Sequence, residues 1–134
     1  MEKSIGPDVL DLDLVAFLGL MRKKRGIIKT ALLDQHTMAG LGNLYGDEAL
    51  FQAGICPNAK LANLAEDRLE RLFHSIQTVL KTAISSWADL SSLPDSYLLK
   101  HRRLGGICPY DKSHLMHKKI GGRTTYFCPR HQQM

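Results

Sequence analysis

The 134-residue sequence has no long hydrophobic run, and no segment approaches the roughly 20 apolar residues that a membrane-spanning helix requires. The first residues also lack the apolar core of a secretory signal peptide. Only three cysteines are present, an odd number that argues against a disulfide framework. These absences exclude an integral membrane protein and a disulfide scaffold, and they predict a cytoplasmic protein without a membrane partner.

The composition is that of an ordinary globular protein with a basic balance. Hydrophobic residues make up 44% and charged residues 23% of the chain, which predicts one domain or two small ones. Lysine and arginine number 18 against 13 acidic residues, giving a net charge of +5. This excess favours a polyanionic partner, although the charge alone identifies no particular one. We expect a monomer.

Residues 1–90 show the periodicity of helices. Apolar residues at helical spacing between Leu10 and Met21 end at the basic cluster 22–25, which we interpret as a helix end whose cations complement the helix dipole. A short helix is predicted over residues 27–34. A turn with two glycines then leads into a helix over residues 44–53, ended by Gly54.

The strongest predicted helix follows residue 63. Asn63 with Glu66 three positions later resembles a capping box. The apolar residues after it form one stripe of about five turns, which predicts a helix packed on the core: Leu69, Leu72, Phe73, Ile76, Val79, Leu80, Ala83, Ile84 and Trp87.

The last third of the chain changes character. Residues 91–106 are predicted to be a linker, and residues 107–134 a separate β-hairpin unit. Strand-like segments at 115–120 and 123–127 are joined by Gly121-Gly122, a two-residue turn that hairpins favour. The fold class predicted is therefore mainly α, a helical bundle followed by a small β-hairpin.

So small a hairpin needs a stabilising element, and potential metal ligands bracket it. Cys108 with Asp111, and Cys128 with His131, have two residues between the members of each pair, a spacing that suits a tetrahedral structural zinc ion. His114 is the alternative to Asp111. Another alternative is a hairpin held by packing without metal. Cys56 has no partner nearby and is interpreted as a small buried hydrophobic residue.

Taken together, these segments resemble the C-terminal region of the formamidopyrimidine-DNA glycosylases (the Fpg/Nei family), which comprises a helix–two-turn–helix domain and a zinc finger. The resemblance covers nearly the whole chain. It rests on four segments: IGPD at 5–8, IKTALLDQ at 28–35, AGLGNLYGDEALFQAGI at 39–55 and GGRTTYFCP at 121–129.

The resemblance implies a protein of base excision repair that binds damaged double-stranded DNA and contains one zinc ion. The family's matching asparagine and zinc-finger arginine, here Asn43 and Arg123, hold the DNA backbone at the lesion. Lys29 matches a family lysine near the same phosphates. Without the resemblance, the alternative for Asn43 is a helix cap, for Arg123 a solvated turn residue and for Lys29 a surface charge. Further possible DNA contacts are Gly42, Lys100, Arg102 and Arg103. For Glu48, a site role and an exposed helical acid remain equally open.

The sequence also departs from the family. Family enzymes use the amine of an N-terminal proline as the nucleophile, whereas Pro7 is internal, so we expect no catalytic residue in these 134 residues. The segment 85–105 is shorter than the family's lesion-covering loop, and the predicted ligand set is not four cysteines. The other hypotheses are a free-standing DNA-binding module without catalysis and an RNA- or protein-binding zinc-ribbon adaptor.

Overall fold

The computed structural model describes residues 5–86 and 89–134. Within them the chain forms four α-helices and one antiparallel hairpin: α1 (Leu14–Lys23), α2 (Ile28–Leu32), α3 (Asn43–Ala53), α4 (Glu66–Ser85), β1 (Met116–Ile120) and β2 (Arg123–Phe127). Short 3-10 turns cover Val9–Asp11, Leu61–Asn63, Leu90–Ser92 and Leu98–Lys100. The predicted architecture, mainly α with one hairpin, is confirmed. Among these helices, none is both long and apolar enough to cross a membrane.

Helices α3 and α4 form the centre of the molecule and bury most of the core between them and α1. The apolar stripe of α4 is buried from Leu69 to Ala83, which confirms its predicted role in packing. Ile84 is an exception, because 64% of its surface is exposed. Trp87, predicted to lie on the same stripe, falls outside the described residues.

The predicted capping box at the start of α4 is wrong. The helix begins at Glu66 with Ala65 as the residue before it, and no side chain caps its first turn. Asn63 instead ends a 3-10 turn that begins at Leu61 and is followed by Leu64, and both leucines are buried in the core. Burial of these two leucines therefore sets the chain path here, rather than local capping chemistry.

Residues 91–106, predicted to be a linker, pack on both parts of the molecule. Leu93, Tyr97 and Leu99 form an apolar cluster with Val79 of α4. Leu98 joins a second cluster with Phe51, Cys108, Leu115 and Cys128, which connects α3 to the base of the hairpin. The segment thus holds the hairpin against the helices.

Glu48 of α3 fixes this segment through hydrogen bonds. Its carboxylate is fully buried and accepts from the backbone N–H groups of Leu98 and Leu99, each at 2.9 Å, and from Gln52 Nε2 at 2.8 Å. Burial raises the pKa of Glu48, while these donors oppose the shift. The exposed-acid alternative for this residue is therefore wrong.

The hairpin has the predicted pairing. Strand β1 pairs with β2 from Met116 opposite Phe127 to Ile120 opposite Arg123. Gly121 and Gly122 both have positive φ, as the tight two-residue turn requires. A Cβ added to Gly121 would lie 3.4 Å from Thr30 Oγ1, so the hairpin tip rests against α2.

Candidate nucleic-acid interface and metal centre

The start of α3 is an open helix N-terminus. Gly42 precedes the helix, is exposed and supplies no capping side chain. Asn43 is the first helical residue. The first N–H groups of an α-helix have no acceptor within the helix, and the dipole favours negative charge there. This end of α3 can therefore receive an anion.

The structure brings Asn43 and the tip of the hairpin together. Asn43 Nδ2 donates to the backbone carbonyl of Thr124 at 3.1 Å, across 81 positions of sequence. Arg123 directly precedes Thr124, is exposed, and has no partner for its guanidinium among the described residues. The open helix end thus lies, at one edge of the molecule, against the residue that directly follows an unpaired arginine.

Behind this edge lies Asp47, a buried residue that sequence reasoning did not single out. Its carboxylate contacts Lys29 Nζ at 2.8 Å and Arg102 Nη2 at 3.1 Å, and it accepts from the backbone N–H of Tyr126 at 3.1 Å. Arg102 also donates to the Thr124 carbonyl at 2.8 Å. Asp47 therefore connects α2, the segment 91–106 and β2 directly beneath the hairpin tip.

Lys29 lies in a different environment from the one expected. Its side chain is only 1% exposed, and besides Asp47 it contacts the hydroxyl of Thr125. Burial lowers its pKa, and the hydrogen bond with Asp47 opposes this effect. The ammonium group therefore balances Asp47 and is not a free surface charge, and the Lys29 side chain also lines a depression between α2 and the hairpin tip.

The three basic residues of the segment 91–106 are also held by the protein. Arg102 is 13% exposed, and its guanidinium lies 4.9 Å from the centre of the Tyr126 ring. Lys100 pairs with Asp95 at 3.0 Å. Arg103 is exposed and donates to the Lys100 carbonyl at 2.9 Å. Of the three, Arg103 presents the most accessible charge.

Three of the predicted metal ligands converge at the base of the hairpin. The ligand atoms of Cys108, Asp111 and Cys128 lie within 4.8 Å of one another. The backbone N–H groups of Tyr110 and Asp111 bond the Cys108 sulfur, and that of His131 lies 3.3 Å from the Cys128 sulfur. Two thiols and a carboxylate are ligands that zinc accepts, so this donor set suits a structural zinc ion.

The electrostatics of this cluster are set by local hydrogen bonds and burial. The backbone N–H of Ser113 lowers the pKa of Asp111 to about 2, so this carboxylate is charged and ready to bind a cation. Burial raises the pKa of the Cys108 thiol to about 11. Zinc ligation requires the thiolate, so metal binding would displace this proton.

Neither predicted histidine lies within the three-residue cluster. His114 is exposed and pairs through its backbone with Ile107. The His131 ring packs against the rings of Phe51 and Tyr110, with centroid distances of 4.8 and 4.7 Å. Its Nε2 is 2.9 Å from the Phe51 carbonyl. Cys56, which is buried and donates to Asn58 Oδ1, lies outside the cluster as expected.

One sequence signal could have identified Asp47. Two consecutive acids, Asp47 and Glu48, lie in a mostly apolar predicted helix that also contains three glycine or alanine positions, at 46, 49 and 53. On a helix with so few polar residues, at least one of two adjacent acids faces the protein interior. A buried carboxylate needs an ion-pair or hydrogen-bond partner. Which partners they have depends on the tertiary fold.

Comparison with known proteins places this geometry in a family. The family model "Formamidopyrimidine-DNA glycosylase H2TH domain" matches residues 4–94. The formamidopyrimidine-DNA glycosylase of Prochlorococcus marinus (strain NATL1A) is 39% identical over 123 residues, which are 84% of this chain and 44% of that protein. That of Thermomicrobium roseum is 37% identical over 97% of this chain and 50% of its own length.

Solved structures agree. Lactococcus lactis Fpg, bound non-covalently to DNA containing an AP site, superposes with a TM-score of 0.80 at 32% identity, over 98% of this chain and 51% of that one. MutM (Fpg) of Thermus thermophilus gives a TM-score of 0.79 at 28% identity, over 96% and 53%. This chain spans about half the length of these relatives. It belongs to the formamidopyrimidine-DNA glycosylase H2TH-domain family and corresponds to the C-terminal region of an Fpg protein.

Proposed function

We propose that this chain holds the sugar–phosphate backbone of damaged double-stranded DNA, as the DNA-binding C-terminal part of a base-excision-repair glycosylase/AP lyase. The observation that carries the proposal is the hydrogen bond between Asn43 and Thr124, which joins the open end of α3 to the hairpin tip beside Arg123. A relative of similar fold has been solved bound to DNA with an AP site. The cellular location that follows is the bacterial nucleoid.

The proposed site holds one phosphate group from two sides. The amide of Asn43 has two N–H donors, and only one of them is needed for the Thr124 carbonyl. That bond orients the amide and leaves the second donor for a phosphate oxygen, next to the free N–H groups at the start of α3. The guanidinium of Arg123 can bond phosphate through two N–H groups.

Lys29 and Arg102 have a different proposed role. Because both pair with buried Asp47, their charges hold the hairpin against the helices and add to the positive potential beneath the tip. Gly42 is proposed to admit the DNA backbone close to the helix end, and Arg103 and Lys100 to contribute long-range attraction. We assign no glycosylase or lyase chemistry to any residue of this chain.

We expect Asn43→Ala and Arg123→Ala each to weaken binding to duplex DNA carrying an abasic-site analogue by about 1–3 kcal/mol, because each removes a charge-assisted phosphate contact. Fluorescence anisotropy at fixed salt measures the change. The matched controls are Asn63→Ala and Arg130→Ala, which alter exposed residues outside this edge and should bind like the unaltered chain.

The adaptor hypotheses make the opposite prediction. An RNA- or protein-binding module would keep its partner when Asn43 or Arg123 is replaced, and its affinity for abasic duplex would be low from the start. If both variants bind abasic duplex as the unaltered chain does, the proposed DNA contact is wrong.

For the metal, we propose that Cys108, Asp111 and Cys128 hold one structural zinc ion, with His131 as the fourth ligand. If Nε2 of His131 donates to the Phe51 carbonyl, Nδ1 carries the free lone pair, which is the arrangement common to metal-binding histidines. Bound zinc would neutralise the two thiolates and cross-link the hairpin base.

Elemental analysis of freshly purified protein should give about one zinc ion per chain. His131→Ala should weaken zinc retention, whereas His114→Ala should leave it unchanged. Loss of zinc in His114→Ala with retention in His131→Ala would transfer the fourth ligand to His114.

A further inference from the structure

The end of helix α1 does not account for all of the basic cluster at residues 22–25. Helix α1 ends at Lys23, and the N–H of Lys24 bonds the Met21 carbonyl at 3.1 Å. Only Arg22 and Lys23 lie in the last helical turn, where cations complement the dipole. Lys24 and Arg25 lie beyond it, so the dipole does not account for them.

The loop that carries these residues is fixed in place. Gly26 has a φ of +88° and turns the chain. Its carbonyl accepts from the N–H of Leu61 at 2.9 Å, and Ile27 pairs with Lys60 in an antiparallel bridge. The loop is therefore held next to Lys60, a residue 35 positions after Arg25 that sequence analysis did not connect with it.

Two surface depressions meet at this loop. The first, of about 300 Å³, lies between the loop, α2 and the hairpin tip, and its lining includes Arg25 and Arg123. The second, of about 560 Å³, lies on the other side of the loop, and its lining includes Arg25 and Lys60. Lys24 lines both. Positive residues thus continue from the hairpin tip across the loop.

Three of the six cations that line these depressions are neutralised within the protein. Lys29 pairs with Asp47, Lys24 pairs with Asp34 at 2.6 Å, and Arg22 pairs with Glu66. Arg25, Lys60 and Arg123 are exposed, and none of them has an acidic or hydrogen-bonded partner for its charged group among residues 5–86 and 89–134. Three uncompensated charges therefore line two depressions that adjoin at the loop.

We infer that Arg123, Arg25 and Lys60 form a second phosphate-binding track, which takes the DNA backbone flanking the lesion on one side. This inference rests on the proposed function, because the track begins at Arg123. A backbone that enters at Asn43 and Arg123 presents further phosphates along its length, and unpaired cations on a concave surface bind such a chain without reading its sequence. The rigid loop lowers the entropic cost of placing Arg25.

The test combines three single variants with duplex length. Arg25→Ala and Lys60→Ala should each weaken binding of a long abasic duplex roughly three- to tenfold and lower the slope of log K against log salt by about 0.9. Lys81→Ala, which removes an exposed lysine of α4 that lines neither depression, should change neither quantity. Melting temperatures of all three should match the unaltered chain, since the side chains are exposed.

Duplex length then locates the contact. When the duplex is shortened on one side of the abasic analogue only, the effects of Arg25→Ala and Lys60→Ala should disappear, while Arg123→Ala still weakens binding. Shortening the other side should leave all three effects in place.

Two outcomes separate the inference from the proposed function. If Arg25→Ala and Lys60→Ala behave like Lys81→Ala while Arg123→Ala weakens binding, the track is wrong and the proposed function stands. If Asn43→Ala and Arg123→Ala also leave binding unchanged, the track and the proposed function are both wrong. If Arg25→Ala releases an acidic peptide bound to this surface but leaves DNA binding unaltered, the track is likewise wrong.

Discussion

Asp47→Asn is expected to lower the free energy of unfolding by about 3–5 kcal/mol, the cost of breaking a buried ion pair by removing one partner. The side chains of Asp47 and Lys29 are 0% and 1% exposed. The substitution leaves two cations, Lys29 and Arg102, without a counter-charge in a poorly solvated site. Urea unfolding followed by circular dichroism measures the change.

Asp47→Asn should also destabilise the hairpin more than helix α4. Asp47 accepts from the backbone of Tyr126, and Arg102 donates to the Thr124 carbonyl. Amide exchange in β2 should therefore accelerate more than exchange in α4, because α4 does not depend on these contacts. Lys29→Met added to Asp47→Asn should recover part of the stability, since it removes one of the two uncompensated charges.

The matched control is Glu70→Gln, which neutralises an exposed acid on α4. Surface substitutions of this kind change stability by about 0.5 kcal/mol or less. If Asp47→Asn falls within the same range, Asp47 is not the residue that holds the hairpin to the helices.

Removal of the proposed zinc ion is expected to unfold the hairpin while leaving the helices largely formed. Four of the five residues of β1 are exposed, so packing buries little apolar surface there. Structural zinc sites contribute about 10–16 kcal/mol in small zinc-finger peptides, far more than this hairpin can gain from its own contacts. Nuclear magnetic resonance of the β1 and β2 amides before and after chelation measures the change.

The effect should spread towards α3 in a defined way. The rings of Tyr110 and Phe51 stack at 5.3 Å, and the Tyr110 hydroxyl bonds Gln52 Oε1 at 2.6 Å. Signals from the end of α3 should therefore shift with those of the hairpin, whereas the helical signal of α4 should remain. DNA binding should fall as Arg123 loses its position.

Cysteine variants supply the controls. Cys128→Ser should reproduce the effect of chelation without a chelator. Cys56→Ser should keep zinc and the hairpin, because Cys56 lies outside the ligand cluster. A zinc-free protein with undisturbed hairpin signals would show that packing alone holds this unit together.

The elements that local chemistry determines could be predicted from the sequence. The turn Gly121-Gly122 fixed the pairing of β1 with β2, and Gly54 ended α3 in the left-handed conformation. The spacing of the apolar residues gave α4 and its buried face. In each case the residues that decide the structure lie within a few positions of one another.

The environment of the charged residues could not be predicted in this way. Asp47 lies 18 positions from Lys29 and 55 from Arg102, and no local pattern links them. Lys29 was expected near the phosphates of the lesion, with a surface charge as the alternative, and its burial beside Asp47 follows from the tertiary fold. Likewise, the predicted cap at Asn63 was displaced by burial of two neighbouring leucines.

The most direct test is a double-mutant cycle between Asn43→Ala and Arg123→Ala, measured as binding to duplex DNA with an abasic-site analogue. If both side chains hold the same stretch of backbone, each variant loses about 1–3 kcal/mol and the double variant loses less than the sum by at least about 0.5 kcal/mol. Unchanged affinity in both single variants, or strictly additive losses, would contradict a shared grip on one strand.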